Sequence, residues 1–261
     1  MLRIMNLAAV ASLGIAIACG PAAAQTETLQ VGFAAEPYPP FTEASASGEW
    51  AGFEIDFAHA LCKEMQVTCE PAPVAWDGII PALTSGKIDM IVGSMSITEE
   101  RKQTISFSDR YYYTSAAFVA PKGSGLDTSP EGMQGKILGV QSGTTNADYA
   151  AKAYPDGVEI KLYNTQDEVN ADLAAGRVDV MLADQIAMDA FLKSDQGADM
   201  EIVATAPADP AFGDGIGVGL RKDDAEFLAK VNAGIKSLLD SGEYDKVAQK
   251  YFSFDIYGPR G

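Results

Sequence analysis

Apolar positions along the chain switch between two periods. Leu29-Gln30-Val31-Gly32-Phe33 reads as an opening strand. Phe53, Phe57, Ala60, Leu61 and Met65 then recur at helical spacing, with Glu54 and Asp56 in the first turn, where the helix dipole favours acids. Residues 77–85 are predicted as a helix stopped by Gly86, and 88–92 as a buried strand. Further strands are predicted at 136–140, 158–163 and 178–183, with helices near 146–154 and 165–175. Two closing helices are predicted over about 223–241 and 243–251. Such strand–helix alternation implies an α/β fold with mostly parallel sheets.

One pattern occurs twice. Leu83-Thr84-Ser85-Gly86-Lys87-Ile88-Asp89-Met90-Ile91-Val92-Gly93-Ser94 matches Leu173-Ala174-Ala175-Gly176-Arg177-Val178-Asp179-Val180-Met181-Leu182-Ala183-Asp184. Leu, Gly and Asp recur, a cation follows each Gly, and each copy is a helix, a stop and a buried strand ending at a polar residue. The physical reading is two similar lobes. In open α/β sheets ligands sit beyond the carboxyl ends of the strands, so two facing lobes enclose a cleft near Ser94 and Asp184. A strand-like crossing at 110–121 and a Gly-rich return near 212–219 divide the chain into lobe 1 (25–113 and 213–261) and lobe 2 (114–212). The tyrosine triplet at 111–113 reads as packing.

Composition narrows the function. Hydrophobic residues make up 47% and charged residues 21%, an ordinary globular balance. The net charge of −17 argues against nucleic acid and against anionic lipid as partners. The single His, His59, excludes two-His zinc motifs and reads as a solvated or packed helical residue. Arg3, the apolar run at 7–18 and Ala22-Ala23-Ala24 form a signal peptide over 1–24, too short for a membrane span. Cys19 is an alternative lipidation site, although Ala16 stands where a lipobox usually has Leu. The mature chain is thus expected to be exported. Its two remaining thiols, Cys62 and Cys69, then read as a structural disulfide.

Catalytic signatures are absent: there is no nucleophile elbow, P-loop, CxxC or HExxH pattern, and neither metal nor cofactor is expected. The Gly213-x-Gly215-x-Gly217-x-Gly219 run reads as extended backbone, since no helix starts within it. Ser94-Met95-Ser96-Ile97-Thr98-Glu99-Glu100-Arg101 follows a strand and opens a short helix, with Ser96-x-x-Glu99 in a capping-box pattern. Its hydroxyls, N–H groups and guanidinium suit a carboxylate, which Arg can grip bidentately. Gln141-Ser142-Gly143-Thr144-Thr145-Asn146 offers a second anion-friendly helix start, and Asp184 offers a counter-charge for an ammonium. A carboxylate and an ammonium held together make an α-amino acid.

The chain resembles the periplasmic polar amino-acid binding proteins of ABC importers, the group with histidine, lysine/arginine/ornithine, glutamine and octopine/nopaline binders. The matching stretches are Tyr38-Pro39-Pro40-Phe41, Gly52-Phe53-Glu54-Ile55-Asp56, Leu61-Cys62 with Cys69, 76–83, 96–101, 107–109, 143–145 and Tyr251-Phe252. The resemblance implies a two-lobed type II periplasmic binding protein, each lobe a mostly parallel sheet flanked by helices. Two hinge strands would let it close over the ligand. By position, Arg101 would bind the ligand carboxylate with Ser94, Ser96, Thr144 and Thr145, and Asp184 the α-ammonium. Tyr38 and Trp76 would flank the side chain. Members selective for cationic side chains carry an acid three residues before the Tyr; here that position is Ala35, and the acid, Glu36, lies two before. The expected function is a monomeric receptor, not an enzyme, delivering a polar, basic or opine-like amino acid to an inner-membrane ABC permease. The alternative is an exported enzyme on the same scaffold, since cyclohexadienyl dehydratases resemble these binders.

Overall fold

The computed structural model describes residues 27–258; the expected signal peptide and Cys19 lie outside the described residues. The chain opens on β1 (Thr28–Ala34), a hairpin of β2 (Glu43–Ala44) and β3 (Trp50–Ala51), and α1 (Phe53–Glu64). Next come β4 (Thr68–Val74), α2 (Ile79–Thr84), β5 (Met90–Ile91), α3 (Glu99–Lys102) and β6 (Ile105–Tyr112). A second run begins at β7 (Ala116–Pro121), with β8 (Ile137–Gln141), α4 (Thr145–Ala153), β9 (Glu159–Tyr163) and α5 (Gln166–Ala174). It continues with β10 (Val180–Asp184), α6 (Gln185–Phe191) and β11 (Met200–Thr205). The chain returns through β12 (Ile216–Arg221) to α7 (Ala225–Ser241) and α8 (Glu243–Ala248).

Two five-stranded sheets result, ordered β4-β1-β5-β12-β6 and β11-β7-β10-β8-β9. The parallel pairing implied by strand–helix alternation holds for β4-β1-β5 and β9-β8-β10. The strands next to the two crossings run the other way: β12 is antiparallel to β5 and β6, and β7 to β10 and β11. Both sheets are therefore mixed, because the strands that carry the chain between lobes enter without a helical crossover.

Burial explains the helices. In α1, Phe53, Phe57, Leu61 and Cys62 are buried, and Phe57 stacks on Tyr111 with ring centroids 4.4 Å apart. Of the tyrosine triplet, Tyr111 and Tyr112 are buried and Tyr113 is exposed. Each such buried aromatic contributes about 1.5–3 kcal/mol. α7 buries Val231, Ile235 and Leu238 along one face and packs with α8 against α1. His59 is exposed on α1, and Cys62 is bonded to Cys69, tying the end of α1 to β4 as expected. No helix among the described residues is long and apolar enough to cross a membrane.

The repeat has one structural meaning in both lobes. Gly86 (φ 75°) and Gly176 (φ 67°) end α2 and α5 in the left-handed conformation that glycine adopts without steric cost. Three residues later, the Asp89 carboxylate accepts from Gln30 N–H and the Asp179 carboxylate from Ile137 N–H. Each acid therefore fastens the neighbouring parallel strand. The matched strands β5 and β10 lead to Ser94 and Asp184, which face one cleft.

Candidate functional site

The cleft between the two lobes measures about 660 Å³, counting space open to solvent. All nine residues singled out in the sequence line it: Glu36, Tyr38, Trp76, Ser94, Ser96 and Arg101 from lobe 1, and Thr144, Thr145 and Asp184 from lobe 2. Ala35 is not among the lining residues, so Glu36 is the acid that the 34–38 segment brings to the cleft.

Local chemistry fixes each wall. Tyr38 opens a tight turn in which its N–H donates to Thr42 O at 2.7 Å, and the turn's carbonyls at Pro40 and Phe41 accept from the first N–H groups of α1. Trp76 starts a 3₁₀ turn before α2. Ser94 leaves β5 at φ 53°, unusual for a residue with a side chain, and Glu54 holds it there. The Glu54 carboxylate accepts from Ser94 N–H at 2.6 Å, from Ser94 Oγ–H at 3.2 Å and from the Tyr111 hydroxyl. The cap of α3 departs from the sequence expectation. Thr98, not Ser96, caps it, with Oγ1 accepting from Arg101 N–H. Ser96 is thereby free to reach across to Thr145, hydroxyl to hydroxyl, at 3.5 Å. On the other wall, Thr144 caps α4 by accepting from Ala147 N–H, which sets Thr145 and Asn146 in the first turn.

Several groups meet across the cleft. The Tyr38 hydroxyl donates to Asp184 Oδ2 at 3.1 Å. The Gly143 carbonyl accepts twice from lobe 1, from Trp76 Nε1–H and from Arg101 Nη2–H, both at 3.1 Å. Gly143 stands at φ 66°, and a Cβ there would lie 3.3–3.4 Å from Asp77 Oδ1 and Trp76 Nε1, so any side chain would crowd this junction. The Arg101 Nη1 also donates to Ser96 O at 3.0 Å, and its guanidinium lies 5.6 Å from the Trp76 ring centroid.

The cleft is electrostatically one-sided. Its described lining carries one cation, Arg101, and three carboxylates, Glu36, Glu54 and Asp184. Burial works against the Arg101 charge, while Asp148, Glu100 and Asp184 support it. Burial raises the Asp184 carboxyl, opposed by hydrogen bonds from Tyr38 and Asn146 and by the Arg101 charge. Burial likewise pushes Glu54 up to about 7, against the pull of Tyr111 and Ser94. One oxygen of Glu36, Oε2, is sealed from solvent without a hydrogen-bond partner among the described residues. Sequence reasoning missed Glu54 and Gln166, which also line the cleft, and it named Gln141 and Asn146 only as ends of the 141–146 helix start, with no role of their own. Glu54 reads as an ordinary first-turn acid of an amphipathic helix, and Asn146 as one residue of an anion-friendly helix start, which gives no sign of its contact with Asp184.

Two α/β lobes joined by two crossings, with a polar, charged cleft between them, define a bilobal solute-binding protein. Comparison with known proteins agrees. The chain belongs to the bacterial extracellular solute-binding proteins, family 3, whose family model matches residues 29–254. It is 42% identical to the L-arginine-binding protein of Pseudomonas aeruginosa over 97% of this chain and 98% of that one. It is 41% identical to the lysine/arginine/ornithine-binding periplasmic protein of Escherichia coli, covering 94% and 95% of the two chains. Among solved structures, an ancestral arginine-binding protein bound to arginine matches with a TM-score of 0.80 at 38% identity, covering 87% of this chain and 98% of that one.

Proposed function

We propose that the protein is an exported receptor, not an enzyme, that captures an amino acid with a cationic side chain and delivers it to an inner-membrane ABC permease. Lobe 1 (25–113 and 213–261) and lobe 2 (114–212) move as units about the two crossings and close on the ligand, which selects the shut state. Arg101 takes the carboxylate, with Ser94, Ser96, Thr144 and Thr145 around it, and Asp184 takes the α-ammonium. Tyr38 and Trp76 sandwich the side-chain stem. The observation that carries this reading is the convergence of Arg101 and Asp184, from different lobes, on one cleft.

The side-chain class rests on charge. With Arg101 and Asp184 assigned to the head group and Glu54 already held by Ser94 and Tyr111, Glu36 remains, and its sealed Oε2 has no donor among the described residues. A cationic side chain supplies one. An opine brings a second carboxylate into a lining with no second cation among the described residues, so a simple basic amino acid fits better. The names of the arginine-binding and lysine/arginine/ornithine-binding relatives support the same class.

A thermal-shift screen of the mature protein against all amino acids and common opines tests this. Ligand at 100 times its Kd stabilises by about 2.7 kcal/mol. Arginine, lysine or ornithine is expected to stabilise. Stabilisation by glutamate or a branched aliphatic, with none by cationic amino acids, would refute the side-chain assignment. Turnover of prephenate or arogenate would favour the dehydratase reading, and an unchanged radius of gyration on saturation with a proven ligand would count against closure.

A further inference from the structure

We propose that Asn146 is a ligand-specificity residue whose side-chain oxygen accepts a hydrogen bond from the bound amino acid's α-ammonium. The assignment rests on the reading of Asp184 as the ammonium's counter-charge. Asn146 occupies the first turn of α4, lines the cleft and is only 6% exposed. Its amide nitrogen donates to Asp184 Oδ1 at 3.4 Å. That contact orients the whole group: an ionised carboxylate only accepts, so the nitrogen belongs on the Asp184 side and the oxygen on the other. The oxygen, Oδ1, is sealed from solvent and has no hydrogen-bond partner among the described residues. A buried acceptor left unpaired is costly, and native proteins rarely leave one without a reason.

An ammonium beside Asp184 supplies the missing donor. It carries three N–H bonds, more than one carboxylate normally satisfies, and Asp184 already accepts from Tyr38 at Oδ2 and from Asn146 at Oδ1. A neutral acceptor next to that carboxylate takes a further N–H. It also adds discrimination, because a ligand without the ammonium leaves the Asn146 oxygen unpaired and the Asp184 charge without a counter-charge from the ligand.

The test compares arginine with 5-guanidinopentanoate, the same molecule without its α-ammonium, by calorimetry on the full mature protein. Wild type is expected to prefer arginine strongly. Asn146→Leu, close in volume but without polar atoms, is expected to cut that preference about tenfold or more, as for a hydrogen bond to a charged group. Asn146→Ala serves as a second variant should the Leu side chain fail to pack. Equal losses for both ligands would overturn the proposal. A wild type that binds the two ligands equally would overturn the ammonium reading of Asp184 first, and this one with it. A crystal structure of the arginine complex separates direct acceptance from mere positioning of Asp184. Asn146 Oδ1 within about 3.2 Å of the α-nitrogen supports the assignment, and a separation beyond about 3.5 Å overturns it.

Discussion

Removing the Arg101 guanidinium is expected to cripple binding without unfolding the protein. Its Nη groups already donate to Ser96 O and Gly143 O, which holds the planar group between the lobes with its remaining donors for a ligand carboxylate. In Arg101→Ala the carboxylate would enter the closed cleft with no cation to meet it. Truncating one partner of a buried, hydrogen-bonded charge pair costs about 2–5 kcal/mol. At 1.4 kcal/mol per tenfold, that is about 30-fold to several thousand-fold in Kd. Losing the bond to Gly143 removes a lobe-to-lobe contact as well, so the weakening belongs at or above the low end. Arg101→Lys keeps the charge but not the fork, and is expected to fall between wild type and Arg101→Ala. Calorimetry with the best ligand from the screen, at pH 7, measures the loss, and circular dichroism checks the empty protein. A folded Arg101→Ala variant with wild-type affinity would show that this guanidinium is not a head-group partner.

Three further outcomes are expected. Glu54 titrates near 7 in the folded protein against a reference value of 4.5, so between these values the folded state holds a proton that the unfolded chain has released. Its contribution therefore falls as pH rises through this window, by up to roughly 3 kcal/mol, and Glu54→Gln is expected to flatten that part of the unfolding profile; parallel profiles would refute it. Breaking the Cys62–Cys69 bridge with paired serines is expected to cost about 2–3 kcal/mol, the chain-entropy value for a short loop, and to lower Tm by roughly 4–12 °C; an unchanged Tm would contradict this. Trp76→Phe keeps the ring face but loses the N–H donated to Gly143 O, so binding is expected to weaken about 2- to 10-fold by calorimetry, and equal affinity would mean that this contact does not contribute to closure.

Much of this architecture is legible in the sequence because the governing interactions are local. The helix at 166–174 carries its own cap, Thr165 with Glu168 in a reciprocal box, and its own stop at Gly176. The duplicated segment exposes the two-lobed plan, and the resemblance places Arg101 and Asp184. What local pattern cannot reveal is pairing across the fold. The capping-box pattern points to Ser96 as the α3 cap, but Thr98 takes that place while Ser96 reaches Thr145, 49 residues away. Glu54 becomes a cleft residue only because Ser94, 40 residues on, turns back over α1. The apolar run at 88–92 contains only a two-residue strand, and its antiparallel neighbour β12 comes from the far end of the chain. Single-sequence periodicity reports a face, not a partner.

The position of β12 has a consequence for the order in which this molecule can be assembled. The second sheet draws all its strands from one continuous stretch, residues 116–205, so everything it needs has emerged once that stretch has been synthesised. The first sheet cannot close then. Its fourth strand, between β5 and β6, arrives only with Ile216–Arg221, and α7 and α8 follow later still. Until that point β5 and β6 stand on either side of an open gap with unpaired backbone edges. Long-range pairing of this kind is slow to form and prone to aggregation while incomplete. A chain cut before Ile216 would carry one finished sheet and one with a gap between β5 and β6.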